Sequence, residues 1–214
     1  MADQNKGMSD LWRRLRFVFM AIVIYRLGTH IPIPGIDPAR LAALFDQNQG
    51  TILEMFNLFS GGALERMSIF ALNVVPYISA AIIMQLFSNS IPYLQELKKD
   101  GQAGRNQITQ FTRYGTVVLA FVQASALAVT LGASGLAYEP GSSFFVSAVF
   151  SVVAGTIFLM WLGELISERG IGNGISIIIA TSILTGIPGA IGQALEQARQ
   201  GDLNILLLLG IGVL

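Results

Sequence analysis

The residues that could perform chemistry in this chain do not form a catalytic pattern. Gly170, Gly172 and Gly174 make a glycine-rich stretch like a phosphate loop, but a further glycine is missing at the required offset. The stretch also follows an apolar segment, whereas a phosphate loop follows a strand. His30 and Ser60 have no third partner and no Gly-x-Ser-x-Gly elbow, so they do not indicate a serine hydrolase. We therefore predict that the chain is not an enzyme and that the glycine-rich stretch is a tight turn.

Charged residues within or beside the apolar segments allow more than one interpretation. Glu164 and Glu168 are close enough in sequence to form a proton relay inside a membrane. Both also lie within a turn of the expected aqueous surface, next to Arg169, where long side chains extend to the interface. The second interpretation is favoured. Arg26 lies deeper in an apolar segment, and we expect it to pair with an acid or with backbone carbonyl groups near the outer interface.

The composition excludes several kinds of site and indicates a membrane protein. Of the 214 residues, 53% are apolar and 12% are charged, whereas about 25% of the residues of a soluble domain are charged. The chain has no cysteine and one histidine, which excludes disulfides, thiolate zinc sites and histidine-rich metal centres. Its 13 Lys and Arg balance 13 Asp and Glu, so no basic field favours nucleic acid. We expect no cofactor, no metal and no direct nucleic-acid binding.

Long stretches without charge predict an all-α, polytopic membrane helix bundle. A helix needs about 20 mostly apolar residues to cross the roughly 30 Å hydrocarbon core. Three stretches meet this condition clearly, and two earlier ones are interrupted by polar residues or proline. A sixth stretch ends with the sequence and is expected to be the truncated start of a further span. The predicted spans are Phe17–Ile33, Ile69–Ile91, Tyr114–Leu131, Phe144–Leu162 and Ile175–Leu195, followed by Leu203–Leu214.

The basic residues predict the orientation of these spans. Lys and Arg concentrate in the tail 1–16 and in the segments 92–113 and 167–174, while the alternate segments hold few of them and most of the acids. The positive-inside rule then places the N-terminus and the loop 92–113 in the cytoplasm. The first span follows a basic tail, as in a signal peptide, but no small-x-small cleavage site follows it. We expect it to be retained.

The segment between the first two spans is broken into short pieces. Pro32, Pro34 and Pro38 end the first helix and favour an extended exit. Thr51–Phe59 is predicted as a short amphipathic piece and Ala63–Leu72 as a second short helix after a glycine break. Irregular backbone at membrane depth is stable only where protein or a water-filled cavity covers it. We therefore predict a re-entrant segment over a cavity that something enters or crosses.

Four motifs occur together in one known family. They are Pro32–Ile36 (PIPGI), Phe59–Leu64 (FSGGAL), Pro76–Ala80 (PYISA) and Glu168–Ser176 (ERGIGNGIS). With them the chain resembles, from about Leu11 to Asp202, the SecY family of channel subunits of the bacterial protein-export translocon. Members of that family have ten spans in two pseudo-symmetric halves. The resemblance implies a cytoplasmic tail at 1–16, the N-terminal half of the channel at 17–202 and the start of the sixth span at 203–214.

The resemblance assigns four branched apolar side chains to a pore ring. One lies just before Pro76 and one just after it, and two lie in the predicted fifth span. The members of each pair are four residues apart and therefore share one helix face. Val74 stands where the family more usually has isoleucine, which leaves the ring apolar. From spacing alone, ordinary packing or lipid contact is the better explanation of such pairs. The implied ring residues are Val74, Ile78, Ile175 and Ile179.

The resemblance also implies a plug and a lateral gate. The plug closes the outer vestibule, and its small residues permit close approach to the ring. The alternative interpretation of this segment is a helix-breaking turn between interfacial helices. At the gate a signal sequence leaves for the lipid, and the helix after Pro76 contributes one largely apolar face. Gln85 in that face either forms a hydrogen bond across the gate or forms one within the bundle. The plug, within 59–72, comprises Phe59, Ser60, Gly61, Gly62, Ala63 and Leu64, and the gate comprises Ser79, Ile82, Ile83, Gln85, Leu86 and Phe87.

The implied role is the central pore-forming subunit of a translocon in the bacterial cytoplasmic (inner) membrane. Such a channel passes unfolded secretory polypeptides and releases membrane segments laterally into the bilayer. The implied partners are the SecE and SecG subunits, the SecA motor or the ribosome, signal peptides, nascent chains and lipid. Two other classes fit less well. A secondary transporter would carry a polar ion site at the midplane, and an insertase-type scaffold would need a polar groove open to lipid.

Overall fold

The computed structural model describes residues 2–47, 57, 60–139 and 141–200. These residues form seven α-helices and no β-strand, so the all-α class is confirmed for this part of the chain. The predicted start of a sixth span, 203–214, lies outside it. In chain order the helices are α1 (Ala2–Gly28), α2 (Pro38–Gln47), α3 (Val75–Ser90), α4 (Pro92–Lys99), α5 (Gly101–Ala133), α6 (Ser142–Arg169) and α7 (Gly174–Gln200).

Two of the described helices, α5 and α6, are long and apolar enough to cross a membrane. They have 33 and 28 residues, and at about 1.5 Å per residue both exceed the roughly 30 Å hydrocarbon core. The apolar part of α7, Gly174–Pro188, is shorter. The predicted spans 114–131 and 144–162 lie inside α5 and α6. The prediction of a loop at 92–113 is wrong, because α4 and the start of α5 are helical there.

Between the first two predicted spans, two helix limits and one short helix are also predicted wrongly. α1 ends at Gly28 rather than Ile33, α3 begins at Val75 rather than Ile69, and 61–74 forms turns instead of a short helix. The backbone explains the last two differences. Met67 and Asn73 have φ angles of 41° and 49°, and Gly61 and Gly62 have 65° and 79°. Left-handed residues at these points prevent a continuous right-handed helix.

The helix α2 was not predicted from the proline-rich exit. Oδ1 of Asp37 accepts hydrogen bonds from the backbone N–H groups of Ala39 at 2.9 Å and Arg40 at 3.4 Å. Pro38 occupies the first helical position, where a missing N–H leaves no hydrogen bond unmade. The Asp–Pro pair is therefore the local signal that indicates this helix.

The core has two parts, and the second contains the residues of interest. In the first, Ala120, Ala124 and Ala128 recur at every fourth position of α5 and permit close packing on α6. The second lies between α1, the turns of 60–74, α6 and α7. The extended segment 31–36 lies along the first part, since the N–H of Ile33 donates to the carbonyl of Met67 at 2.8 Å and both residues belong to that part. On its other side, the N–H of Tyr138 donates to the carbonyl of Gly35 at 3.0 Å.

Candidate functional site

A cavity of about 620 Å³ lies between α3, α5, α6 and α7. Along the helices its lining changes in character. Gln85, Asn106 and Asn173 lie towards one end. At the other end, the lining of α3 finishes with Ile78 and Tyr77, and that of α7 finishes with Ile179. The cavity thus has a polar end and an end with branched apolar side chains.

The four predicted ring residues are brought into one apolar cluster. Val74 is 2% exposed, and Ile78, Ile175 and Ile179 are half-buried against the same cluster. The three isoleucines line the cavity, whereas Val74 does not. The four side chains that the family resemblance implied therefore lie together in the fold.

Glycines in α6 and α7 determine where Ile175 lies. A Cβ on Gly163 would overlap the Cδ1 atom of Ile175, and a Cβ on Gly174 would overlap the carbonyl oxygen of Gly163. Absence of both Cβ atoms lets the start of α7 lie directly on α6. The N–H of Gly174 donates to Oγ of Ser167 at 2.8 Å, which fixes the turn between the helices. The glycine-rich stretch is therefore a tight turn into α7, as predicted.

The segment 60–74 packs against this apolar cluster. Ser60 and Gly61 are buried, Ala63 is 0% exposed and belongs to the same cluster as Val74, and Leu64 is half-buried. Oγ of Ser60 accepts a hydrogen bond from the N–H of Leu64 at 3.1 Å, which shapes the first turn. Of the predicted plug residues, Phe59 lies outside the described part of the chain.

Two neighbouring residues of α1 hold the beginning of this segment. The hydroxyl of Tyr25 lies 3.4 Å from the carbonyl oxygen of Ser60, and Nη1 of Arg26 donates to the carbonyl of Gly61 at 3.2 Å. Of the two partners predicted for Arg26, an acid or backbone carbonyl groups, the structure shows a backbone carbonyl. Sequence reasoning did not find Tyr25, because a tyrosine in an apolar span carries no signal of its partner.

A stack of aromatic rings supports the rest of the segment. The ring of Phe70 lies between those of Tyr25 and Phe158, with centroid distances of 6.0 Å and 5.9 Å. A Cβ on Gly28 would overlap the Phe70 ring, and a Cβ on Gly155 would overlap the carbonyl of Ile69. Two glycines on α1 and α6 thus admit the segment between these helices.

The predicted gate residues lie on the outer side of α3. Ile82, Ile83, Leu86 and Phe87 have exposed fractions of 54%, 40%, 60% and 48%, and Ser79 is half-buried. Ile82 and Gln85 also line the cavity. Within the described residues no side-chain hydrogen bond of Gln85 is seen, so neither of its two predicted roles is decided. The apolar face itself is open for contact with another apolar surface.

An ion pair in the cavity wall was missed by the sequence reasoning. Nε of Arg113 on α5 donates to Oε1 of Glu164 on α6 at 2.8 Å. The sequence did not predict this contact, and the favoured interpretation of Glu164 as an interfacial side chain stays a prediction. No sequence rule links residues so far apart on two different helices. Among the described residues, no group of three or more His, Cys, Asp or Glu could hold a metal ion.

Comparison with known sequences agrees with these features. A sequence profile of the SecY family matches residues 68–214. The chain belongs to the SecY family. Two relatives named protein translocase subunit SecY are those of Pseudomonas aeruginosa, 61% identical over 213 residues, and Escherichia coli K12, 57% identical over 212. The matches cover 100% and 97% of this chain and 48% of each relative. This SecY-family chain thus spans about half the length of the relatives it matches.

Solved channel structures share the fold. One, described as Sec61 in the canine ribosome-channel complex from the endoplasmic reticulum, has a TM-score of 0.62 at 21% identity. Another is described as showing that the plug domain of SecY stabilises the closed state and maintains a membrane seal; its TM-score is 0.59 at 22% identity. Each match covers 91% of this SecY-family chain, with 43% and 42% of the respective channel chains.

Proposed function

We propose that this chain forms the N-terminal half of a protein-conducting channel that passes unfolded polypeptides across a membrane and releases membrane segments sideways. The observation that carries the proposal is the convergence of Val74, Ile78, Ile175 and Ile179 in one apolar cluster, with the three isoleucines lining the cavity. The name shared by its relatives, protein translocase subunit, supports the same role.

The chemistry of the ring suits a substrate of mixed composition. A narrow constriction lined by branched apolar groups loses its water and so blocks ions at rest. It also offers no fixed charge that would retain a passing side chain. A secondary transporter would instead need polar groups to bind its substrate, and such a site would conflict with an apolar constriction.

In this proposal the part of the segment that precedes the ring residue Val74 is the plug of the closed channel. Its support is the burial of Ala63 beside Val74, together with the description of the related SecY plug as a membrane seal. The face of α3 with Ile82, Leu86 and Phe87 forms one side of the lateral gate, because its exposed apolar side chains suit a hydrophobic signal sequence.

The same role implies which helices span the membrane, how they are oriented and which proteins bind the channel. The first, second, third, fourth and fifth spans of the channel are α1, α3, α5, α6 and α7, in the bacterial inner membrane with the N-terminus cytoplasmic. The partners are SecE and SecG within the membrane and SecA or the ribosome at the cytoplasmic side. Support for a ribosome contact comes from the related Sec61 channel, which was seen in a ribosome complex.

The test is substitution of the ring in a channel that contains this chain. Asparagine at Ile78 or Ile179 would place an amide in the constriction and cost the closed state about 1–3 kcal/mol through desolvation. We expect a resting ion leak and export of substrates with defective signal sequences. Val118→Asn is the control, since Val118 is 63% exposed on α5 and outside the cluster. Ion-tight channels with an unchanged signal requirement in both ring variants would refute the proposal.

A further inference from the structure

Tyr25 and Arg26, adjacent in α1, each contact both the segment 60–74 and α7. The Tyr25 hydroxyl lies 2.5 Å from Oγ of Ser182, in addition to its longer contact with the carbonyl of Ser60. Nη1 of Arg26 lies 3.2 Å from Oγ1 of Thr185, in addition to the carbonyl of Gly61. Two neighbouring residues of α1 thus lie against two neighbouring carbonyls of the segment. Each of the two also contacts a hydroxyl of α7, and these hydroxyls, on Ser182 and Thr185, are one turn apart.

Ser182 also holds the other end of the segment. Nδ2 of Asn73 donates to Oγ of Ser182 at 3.1 Å, and the Ser182 hydroxyl donates to the carbonyl of Ile178 at 2.9 Å. Ser182 is 0% exposed and Asn73 is 5% exposed. A single buried oxygen on α7 therefore lies at the point where the beginning and the end of the segment meet.

The backbone fits closely at the same place. A Cβ on Gly61 would lie 3.1 Å from Cα and O of Ser182 and from Oγ1 of Thr185. Gly61 also has a φ of 65°, which a side chain would strain. At Gly61 the segment therefore approaches α7 through its backbone, and the carbonyl groups of Ser60 and Gly61 lie against the polar groups of α1.

We propose that Tyr25, Arg26, Ser182 and Thr185 form a polar latch that positions the part of the segment before the ring residue Val74 and sets how often this part leaves the apolar cluster. The proposal rests on the function proposed above, in which this segment closes the channel, and it names the residues that regulate the closure. They are positioning residues, because they act on the segment and not on the translocated chain.

The latch is suited to repeated release. When the segment leaves, Tyr25 keeps its hydrogen bond with Ser182 and Arg26 keeps its hydrogen bond with Thr185, so no donor of α1 is left buried without a partner. What is lost is the bond from Arg26 to the carbonyl of Gly61, the weak contact of the Tyr25 hydroxyl with the carbonyl of Ser60, and the link from Asn73. The bond from Arg26 is the stronger of the two carbonyl bonds, because it is shorter and its donor is charged.

The test is hydrogen–deuterium exchange of the backbone amides of Ala63, Arg66 and Ser68 in a membrane-embedded channel that contains this chain. Each of these N–H groups bonds within the segment, so their exchange rates report its opening. We expect Tyr25→Phe and Ser182→Ala to raise exchange about threefold to tenfold, and Arg26→Met to raise it more than about tenfold. Arg26→Lys, which keeps a charged donor, should restore part of the protection.

Thr116→Val is the matched control. Thr116 is 0% exposed and its hydroxyl donates to the carbonyl of Thr112 at 2.8 Å, so the change removes a buried hydroxyl from α5 without touching the segment. It should leave the exchange of the three reporter amides unchanged. Unchanged exchange in the Tyr25, Ser182 and Arg26 variants would overturn the latch. An equal rise throughout α5 and α6 would also overturn it, since this would indicate general destabilisation.

Resting ion conductance separates the latch from the proposed function. Faster exchange together with a resting leak supports both. Faster exchange in channels that stay ion-tight supports the latch and contradicts the closing role of the segment. A leak in the Ile78→Asn channel with unchanged exchange in the latch variants refutes the latch and leaves the channel function in place.

Discussion

Nε of Arg113 on α5 and Oε1 of Glu164 on α6 are joined at 2.8 Å in the wall of the cavity. The arginine side chain is 43% exposed and the glutamate side chain 17%. Ion pairs of this exposure contribute about 0.2–1 kcal/mol. The pair therefore orients two helices that already pack closely through alanines, and adds little to their stability.

Removing this pair is expected to have a small, non-additive effect. Glu164→Gln and Arg113→Gln should each lower the free energy of unfolding by less than about 1 kcal/mol, and the double variant should lose less than their sum. Thermal unfolding of the solubilised channel measures this. Glu139→Gln, at an exposed carboxylate outside the bundle, is the control. Strict additivity of the two single changes would contradict a direct interaction.

A methyl group on Gly155 should disturb the segment 60–74. Because it would overlap the carbonyl of Ile69, we expect Gly155→Ala to destabilise the channel by about 1–3 kcal/mol. Gly132→Ala is the matched change, since a Cβ on Gly132 would meet nothing within 4 Å. It should be neutral or stabilising by up to about 1 kcal/mol through helix propensity. The midpoints of thermal unfolding of both variants measure these effects. Equal midpoints would show that the close contact of Gly155 with the carbonyl of Ile69 does not affect stability.

The cap of α2 can be separated from the ion pair that Asp37 forms with Arg40 at 3.3 Å. Asp37→Ala removes the cap and should destabilise α2 by about 1 kcal/mol. Asp37→Asn keeps a capping oxygen and loses only the exposed charge interaction, so its effect should be smaller. Amide exchange along α2 is the measurement. If asparagine and alanine accelerated it equally, the charge rather than the cap would be responsible.

The orientation of α5 can be tested with two introduced cysteines, because the chain has none of its own. Asn106 lies in the first part of α5 and Ser134 directly follows its last residue, and both are exposed. An impermeant thiol reagent should label cysteine at Ser134 from outside intact cells and cysteine at Asn106 only after the membrane is opened. Labelling of both positions from the same side would show that α5 does not cross the membrane in the proposed way.

The positions of α5 and α6 could be predicted from the sequence because their signal is local. Tyr114–Leu131 and Phe144–Leu162 are uninterrupted by charge, and a run of that length indicates a span wherever the rest of the chain lies. The charges of 92–113 predicted a loop there, but charge does not distinguish an exposed helix from a loop. This is why α4 and the start of α5 were missed.

The helix predicted at Ala63–Leu72 is wrong for a different reason. Met67 and Asn73 adopt left-handed backbone angles that neither residue type demands, so contacts elsewhere must impose them.

By itself the sequence determined the chemical character of the candidate site: four branched apolar residues in two pairs, small residues before them, and glycines at the turn into α7. Only the tertiary structure decided which groups meet. Tyr25 and Ser182 are 157 positions apart, and Arg113 and Glu164 are 51 apart. Periodicity describes one helix face at a time and carries no information about its partner. A buried hydroxyl or a charge gains a partner only when packing brings another helix beside it, and the polar latch is therefore a property of the fold.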